Sequence, residues 1–314
     1  MAPLLLALLM LVRPAAAAAA PDVRALASYR NDTVITVPLA DRVAPIPDWL
    51  LQLWRDGDKV PAYANHALTA KEKREFAAAL DGLPRRMREA LSERLIAFYF
   101  VSNLKGNGLT DWVLDASSRT YVYILLNPSA FDKTLSQLLS ERERSAFRGS
   151  ADVSVEAGKG GSGILYSVAH ECAHAYDFAR GLTPFTDPEE AERLGEKAPA
   201  SWDVWREYFR PLPENDYPAR AKLHFYGFGG GAALDAAEAP AVCAQFVASP
   251  FTSLYGSRSW AEDAAELFVA RHLTKDLGRP YRLLCGGKLY EPMSNPRIAA
   301  RADRILAPLY AGGR

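Results

Sequence analysis

The sequence predicts an α+β fold, and three observations favour that class. Segments that alternate apolar and polar residues, typical of β-strands, lie in the first part of the chain beside amphipathic helices. A long helix follows in the middle, and the remainder is mainly helical, so strands and helices are segregated along the chain. The 314 residues are 49% hydrophobic, which is ample for a sizeable core.

The elements of the first part follow from periodicity and turn residues. A short strand is predicted at Asp32–Leu39, helices at Ala70–Leu80 and Arg86–Ile96, and a strand at Ala97–Val101. The turn sequence DASSR predicts a hairpin of two strands, Leu109–Leu114 and Tyr121–Leu126. A charged amphipathic helix is expected over Phe131–Phe147, and GKGGSG then marks a flexible loop. We expect a small twisted sheet with helices around it.

The second part opens on a helix and stays mainly helical. Its apolar stripe has helical spacing and consists of Ile164, Val168, Cys172, Ala175 and Ala179. An irregular segment follows at Gly181–Pro218. Helices are then predicted at Asp235–Ala248, from near Ser259 and over Pro296–Leu309, with a hairpin around Gly286–Gly287 before the last of them. No repeat or linker divides the chain. We therefore expect a single domain over 21–314, with an α+β part at about 21–180 and a helical part at about 181–314.

Residues 1–20 have the composition of a cleavable signal peptide. The run LLLALLMLV is too short to span a bilayer, and the alanines that follow are the small residues a signal peptidase needs. Cleavage near Ala19 would make the protein secreted or periplasmic, with no stable membrane insertion afterwards. A membrane anchor or an ordinary alanine-rich start are the alternatives.

Charge bears on the class of binding partner, and cysteine content bears on possible disulfides. The formal net charge is zero and no basic stripe is present, so nucleic acid is not an expected partner. Cys172 falls on the apolar stripe and is expected in the core. Cys243 and Cys285 can pair in an oxidising compartment or remain two free thiols, and the sequence leaves both alternatives open.

The most informative motif is His170-Glu171-Cys172-Ala173-His174, an HExxH run inside SVAHECAHAYDFARG. Histidines four residues apart lie on one helix face, so both imidazoles can bind one zinc ion. Glu171 can then act as the general base that deprotonates a water. The chain has only five histidines, which makes this spacing unlikely by chance. The alternative is a helix whose histidines only cap the core or face solvent.

A catalytic zinc needs a third protein ligand, and several residues are candidates. Asp177 lies on the ligand face, but we expect it to orient a ligand histidine rather than to bind metal. His224 and His272 are isolated histidines. The best candidate is Glu262, which is four residues before Glu266 in YGSRSWAEDAAELFVARH, on one face of a helix.

The alternative role for Glu262 is a helix cap. Ser259 and Glu262 have capping-box spacing, in which the glutamate reaches back to the helix N-terminus. The ligand interpretation is favoured because the metal helix needs an acidic partner.

These two motifs together resemble a known group of enzymes. An HExxH helix followed by Tyr255 and, seven residues later, by Glu262 in an E-x-x-A-E helix is similar to the glutamate-zincins with an anthrax-lethal-factor-type catalytic domain. The Pro-Pro endopeptidases and the Mlc titration factor peptidases are similar. The resemblance implies a zincin-type metallopeptidase domain in which Glu262 is the third ligand, Tyr255 is the transition-state donor and Glu266 supports the site from behind. The segment from His174 to Glu262 is longer than usual in the group, which indicates an insertion.

The sequence therefore predicts a zinc peptidase with one zinc ion per chain and a peptide or protein substrate. His224 is a reserve for the donor role of Tyr255. The hairpin that ends at Tyr121–Leu126 is the candidate for a sheet edge that holds an extended peptide. A non-catalytic zinc-binding regulatory protein and a zinc amidase acting on cell-wall peptides are the alternatives. Neither the natural substrate nor the oligomeric state follows from the sequence.

Overall fold

The computed structural model describes residues 21–29, 35–184 and 201–311, and it shows a mixed α+β protein. The predicted α+β class is therefore confirmed. The predicted signal peptide lies outside the described residues, as do residues 32–34 of the first predicted strand and residues 185–200 of the predicted irregular segment. Within the described chain, no helix is both long and apolar enough to cross a membrane.

The α-helices of the described chain are α1 Asp48–Asp58, α2 Ala70–Asp81, α3 Arg85–Arg94, α4 Leu135–Arg144, α5 Ile164–Arg180, α6 Ala239–Phe246, α7 Trp260–Arg271, α8 Pro296–Ile305 and α9 Ala307–Tyr310. Its strands are β1 Val43–Ala44, β2 Ala64–Asn65, β3 Leu95–Ser102, β4 Gly108–Leu114, β5 Thr120–Leu126, β6 Phe147–Arg148, β7 Val153–Glu156, β8 Trp205–Glu207, β9 Arg210–Pro211, β10 Leu234–Asp235, β11 Arg282–Cys285 and β12 Lys288–Tyr290. Short 3-10 turns connect many of these elements.

The central sheet has five strands in the order β1-β3-β5-β4, with β2 paired to β3. β3 runs parallel to β5, whereas β4 and β5 form the predicted antiparallel hairpin. The predicted hairpin does supply an edge of the sheet through its first strand, whereas Tyr121–Leu126 is internal because β3 pairs with the other side of β5. The edge strand of the hairpin is β4.

Both faces of this sheet are buried, and strand β3 is therefore an almost continuous run of apolar residues. Phe98 and Phe100 point into the larger hydrophobic cluster, while Tyr99 and Val101 point into the smaller one on the opposite face. The larger cluster draws residues from both the N-terminal and C-terminal parts, so the two parts share one core. Helix α5 packs across β5 and β4, which places the histidine motif over the edge strand.

Several predicted elements differ from the structure. Ala70–Leu80 is a helix as expected, with a capping box formed by Thr69 and Glu72. The helix predicted at Arg86–Ile96 ends at Arg94, because Leu95 is extended and already pairs in the sheet. Described residues 35–39 of the first predicted strand form a turn that leads into a 3-10 helix, not a strand.

The later elements are shorter than their patterns suggest. The helix predicted over Phe131–Phe147 covers only Leu135–Arg144, because Thr134 caps its start. The helix predicted at Asp235–Ala248 begins at Ala239, beside Pro240. The last predicted helix is split between α8 and α9. The sequence patterns did not predict helix α1 or strand β7. Strand β7 adds a third strand to the predicted β11–β12 hairpin.

A disulfide joins helix α6 to strand β11. It pairs Cys243 with Cys285, whose Cα atoms are 5.6 Å apart, and so selects one of the two alternatives left open by the sequence. Cys172 is buried and free, as expected for a core position.

Helix α7 is fixed from behind by a buried ion pair. Asp263 on this helix is fully buried and pairs with Arg301 on α8. Its carboxylate also accepts a hydrogen bond of 2.7 Å from the indole nitrogen of Trp205. Arg301 and Arg304 both pair with Asp203, but Arg304 is largely exposed.

This difference in burial gives a stability prediction. Arg301→Met should lower the free energy of unfolding by about 3 kcal/mol, because it leaves the Asp263 carboxylate buried without its cation. The matched change on the same helix, Arg304→Met, should cost less than about 1 kcal/mol, because the Arg304 side chain is exposed and Asp203 keeps its pair with Arg301. Urea unfolding followed by circular dichroism measures both. Equal losses in the two variants would contradict the assigned role of Arg301.

Candidate metal centre

His170, His174 and Glu262 converge on one point. The Nε2 atoms of the two histidines are 3.2 Å apart. Oε2 of Glu262 lies 3.2 Å from Nε2 of His170 and 3.5 Å from Nε2 of His174. Ligand atoms bound tetrahedrally at about 2.0–2.1 Å, the range of zinc, are about 3.3 Å from one another. The three side chains can therefore hold one metal ion.

The hydrogen bonds of Glu262 support this fit. Oε1 accepts a hydrogen bond of 3.0 Å from the Tyr255 hydroxyl, but the buried Oε2 has no hydrogen-bond partner within the described chain. A buried carboxylate oxygen without a donor is costly. A bound cation would satisfy this atom.

Only one of the two hydrogen bonds of a capping box forms between Ser259 and Glu262. Its backbone N–H donates to Oγ of Ser259 at 3.2 Å, as a helix cap requires. Its carboxylate does not return to the helix N-terminus, and points to the histidines instead. Ser259 thus caps α7 and leaves the Glu262 side chain free for the metal centre.

Glu266 lies behind His170. Its Oε1 is 3.0 Å from Nδ1 of His170 and accepts a second hydrogen bond of 2.9 Å from the Tyr166 hydroxyl. When Nδ1 carries the proton for this bond, Nε2 is left with a lone pair that points at the metal position. Glu266 therefore selects both the orientation and the tautomer of His170.

Glu266 is itself held by a buried arginine. Arg142 on α4 is fully buried and lies 2.6 Å from Oε2 of Glu266 and 2.6 Å from Glu143. Although burial raises the pKa of Glu266, the Arg142 guanidinium and His170 lower it to about 2. The carboxylate behind His170 is therefore ionised throughout the neutral range.

The centre attracts positive charge. Burial lowers the pKa of His170, but the Glu262 and Glu266 carboxylates beside its ring more than offset this and raise it to about 10. The two carboxylates therefore favour positive charge at this position, which a bound metal ion would supply.

Glu171 faces the cleft next to the three convergent side chains. It is buried, and its Oε2 accepts a hydrogen bond of 2.8 Å from the Thr110 hydroxyl on β4. Burial raises the pKa of Glu171, although His170, His174 and Thr110 oppose the shift. A Cβ atom on Gly108 would lie 2.6 Å from Cγ of Glu171, so the edge strand can approach only because this residue is glycine. Sequence reasoning missed Thr110 and Gly108, since only their strand position marks them.

The remaining candidates lie elsewhere. Asp177 was expected to orient a histidine, but the structure gives its carboxylate other hydrogen-bond partners. Its carboxylate accepts hydrogen bonds from the backbone N–H groups of Leu182 and Thr183 and from the Thr183 hydroxyl, and so fastens the turn after α5. His224 contacts the carbonyl of Gly231, and His272 pairs with Asp276 at 2.9 Å.

The centre lies on a cleft of about 540 Å³. Strand β4 contributes Gly108 to Asp111 to its lining, and α7 with its preceding turn contributes Tyr255, Arg258 and Glu262. Several aromatic side chains line the remainder, namely Trp54, Phe178, Tyr208, Phe209 and Phe228. The convergent side chains are thus open to a ligand of several residues.

Comparison with models of protein families, with curated proteins and with solved structures found no match.

The contact between Gly108 and Glu171 gives a prediction about the cleft. Gly108→Ala should displace the Glu171 carboxylate while leaving the three convergent ligands in place. Metal content should stay unchanged, whereas a reaction that depends on the Glu171 carboxylate should slow roughly a hundredfold, the cost of misplacing a reacting group by about 1 Å.

The matched control is Gly57→Ala. Gly57 lies on α1, where an added Cβ would meet no atom within 4 Å, so activity should not change. Full activity in Gly108→Ala would show that Glu171 does not need its present position.

Proposed function

We propose that the protein is a zinc-dependent peptidase of the HExxH type, with one zinc ion per chain held by His170, His174 and Glu262. The convergence of these three side chains at tetrahedral ligand spacing carries the proposal. Two imidazole nitrogens and one carboxylate oxygen form a donor set that suits catalytic zinc and leaves a position open.

The reaction is hydrolysis of a peptide bond. Zinc, when bound, supplies a Lewis acid that acidifies water and polarises the scissile carbonyl. Glu171 takes the proton of the attacking water and passes it to the leaving amine. The hydrogen bond from Thr110 fixes the direction in which Glu171 points, and its raised pKa brings the carboxylate nearer to the pKa range of an effective base.

Tyr255 is the proposed donor to the oxyanion. Burial and the nearby Glu262 carboxylate raise its pKa well above the ordinary value, so its hydroxyl keeps its proton at neutral pH. It donates to Glu262 at 3.0 Å, and turning from this carboxylate to the substrate oxygen would stabilise charge as it develops.

The resemblance to the glutamate-zincins belongs to this proposal. It is supported by the contact of Tyr255 with Glu262 and by the place of Glu266 behind His170. Glu171 also favours an enzyme over a regulatory module, because a purely structural metal site has no need of a base beside it. The substrate would be an extended peptide lying along β4.

Secretion or export to the periplasm is the proposed localisation. The Cys243–Cys285 disulfide supports it, because such bonds form and persist in oxidising compartments.

The ligand role of Glu262 can be separated from its place in the helix cap. Glu262→Ala should sharply weaken zinc affinity, because it removes one of three ligands. Ser259→Ala removes only the cap, and should cost about 1 kcal/mol of stability with zinc affinity unchanged. Competition with a chromogenic chelator measures both affinities. Equal zinc affinity in the two variants would return Glu262 to a capping role.

The role of Glu171 separates the enzyme from a metal-binding module. Glu171→Gln keeps the shape of the side chain and removes the base, so zinc content should persist while turnover falls at least about a hundredfold. Zinc analysis and a peptide digest of the same sample measure the two quantities. Turnover close to wild type in this variant would exclude the proposed mechanism.

A further inference from the structure

Most charged side chains that line the cleft already have partners. Asp111 pairs with Arg24 and accepts a hydrogen bond of 2.7 Å from the Tyr123 hydroxyl. Asp58, at the far end on α1, accepts a hydrogen bond of 2.7 Å from Tyr63. The carboxylates of the cleft are therefore engaged before any substrate arrives.

Two cations of the same cleft have no such partner among the residues that the structure describes. Arg258 follows the turn that carries Tyr255 and precedes Glu262 by four residues. Its guanidinium lies 5.9 Å from the centre of the Tyr255 ring, and no carboxylate or carbonyl in the described part of the chain accepts a hydrogen bond from it. A guanidinium beside the proposed oxyanion donor is thus free to bind a ligand.

Lys105 stands on the other wall, in the connection between β3 and β4. Its ammonium lies 4.4 Å from the centre of the Phe228 ring, and it forms no ion pair with residues 21–29, 35–184 or 201–311. The aromatic ring holds the cation without neutralising it.

The charge balance favours an anionic ligand. A divalent metal ion would be offset by Glu171 and Glu262, and Arg24 offsets Asp111. With the metal ion bound, Arg258 and Lys105 would outnumber Asp58, which leaves one positive charge in excess among these cleft residues. Arginine binds carboxylates through two parallel hydrogen bonds, and a partly enclosed cleft weakens solvent screening.

We propose that Arg258 determines specificity by binding an acidic side chain next to the scissile bond, with Lys105 as a second contact for negative charge. This assignment rests on the proposed peptidase function and names its substrate class: peptides that carry Asp or Glu near the cleaved bond. The position of Arg258, between Tyr255 and Glu262, places the recognised carboxylate close to the reacting carbonyl.

The test is a digest of a random peptide mixture by the zinc-loaded mature chain, with cleavage positions read by mass spectrometry. We expect Asp and Glu to be preferred about tenfold over Lys and Arg at one position beside the cut, the effect of a single charged contact. Arg258→Glu should reverse this preference. The control Lys288→Glu, on the exposed surface of β12, should keep it.

A preference that Arg258→Glu leaves unchanged, or cleavage without any acidic preference, would overturn the proposal. A second measurement separates this failure from failure of the peptidase function. Fluorescein-labelled peptide pools, one rich in Glu and one rich in Lys, are titrated against Glu171→Gln and followed by anisotropy. Tighter binding of the Glu pool that Arg258→Glu abolishes supports the recognition role even if no peptide is cleaved, and equal binding of both pools contradicts it.

Discussion

The buried ion pair between Arg142 and Glu266 is the interaction on which the candidate metal centre depends. Arg142 lies on α4, Glu266 on α7, and the histidine that Glu266 orients lies on α5, so one guanidinium fixes three helices relative to one another. Glu143, the second partner of Arg142, also accepts a hydrogen bond of 2.9 Å from the backbone N–H of Leu254. This bond positions the turn that carries Tyr255.

Burying such a pair costs desolvation free energy, and what the pair contributes here is the fixed position of its side chains. Desolvation of two charges commonly offsets the Coulomb attraction between them, so the pair is weak ground for global stability. Here it keeps Glu266 ionised behind His170 and leaves Nε2 of that histidine directed at the metal position. Two buried arginines, Arg142 and Arg301, pair with carboxylates of α7, the helix that contributes Glu262.

The opposite wall of the cleft is set by close packing. Strand β4 passes so near to α5 that Gly108 leaves no room for a side chain against Glu171. The same approach brings the Thr110 hydroxyl into hydrogen-bonding distance of the Glu171 carboxylate. The proposed base is therefore oriented by an edge strand, and the side chains that could hold a metal ion are oriented by helices behind them.

Local sequence patterns predict part of the fold and of the candidate site. The spacing of His170 and His174 and the apolar stripe of α5 are properties of one helix, so they could be read directly from the sequence. The α7 helix was also predictable, but the capping alternative for Glu262 stayed open, because the direction of a side chain depends on its neighbours. Contacts between distant segments could not be predicted from local patterns. Examples are the pairing of β3 with β5 and the ion pair between Arg142 and Glu266, which are 124 residues apart.

Asp177 shows the limit of helical periodicity. It does lie on α5 one turn beyond His174, yet the chain after the helix turns back and saturates its carboxylate. A helical wheel contains no information about that turn.

The central claim is that His170, His174 and Glu262 hold one zinc ion. X-ray absorption spectroscopy at the zinc edge, on protein loaded with one equivalent of zinc, tests it most directly. The account predicts a first shell of nitrogen and oxygen at about 2.0–2.1 Å with the multiple scattering of two imidazoles. A sulfur shell near 2.3 Å, or the scattering of fewer than two imidazoles, would contradict it.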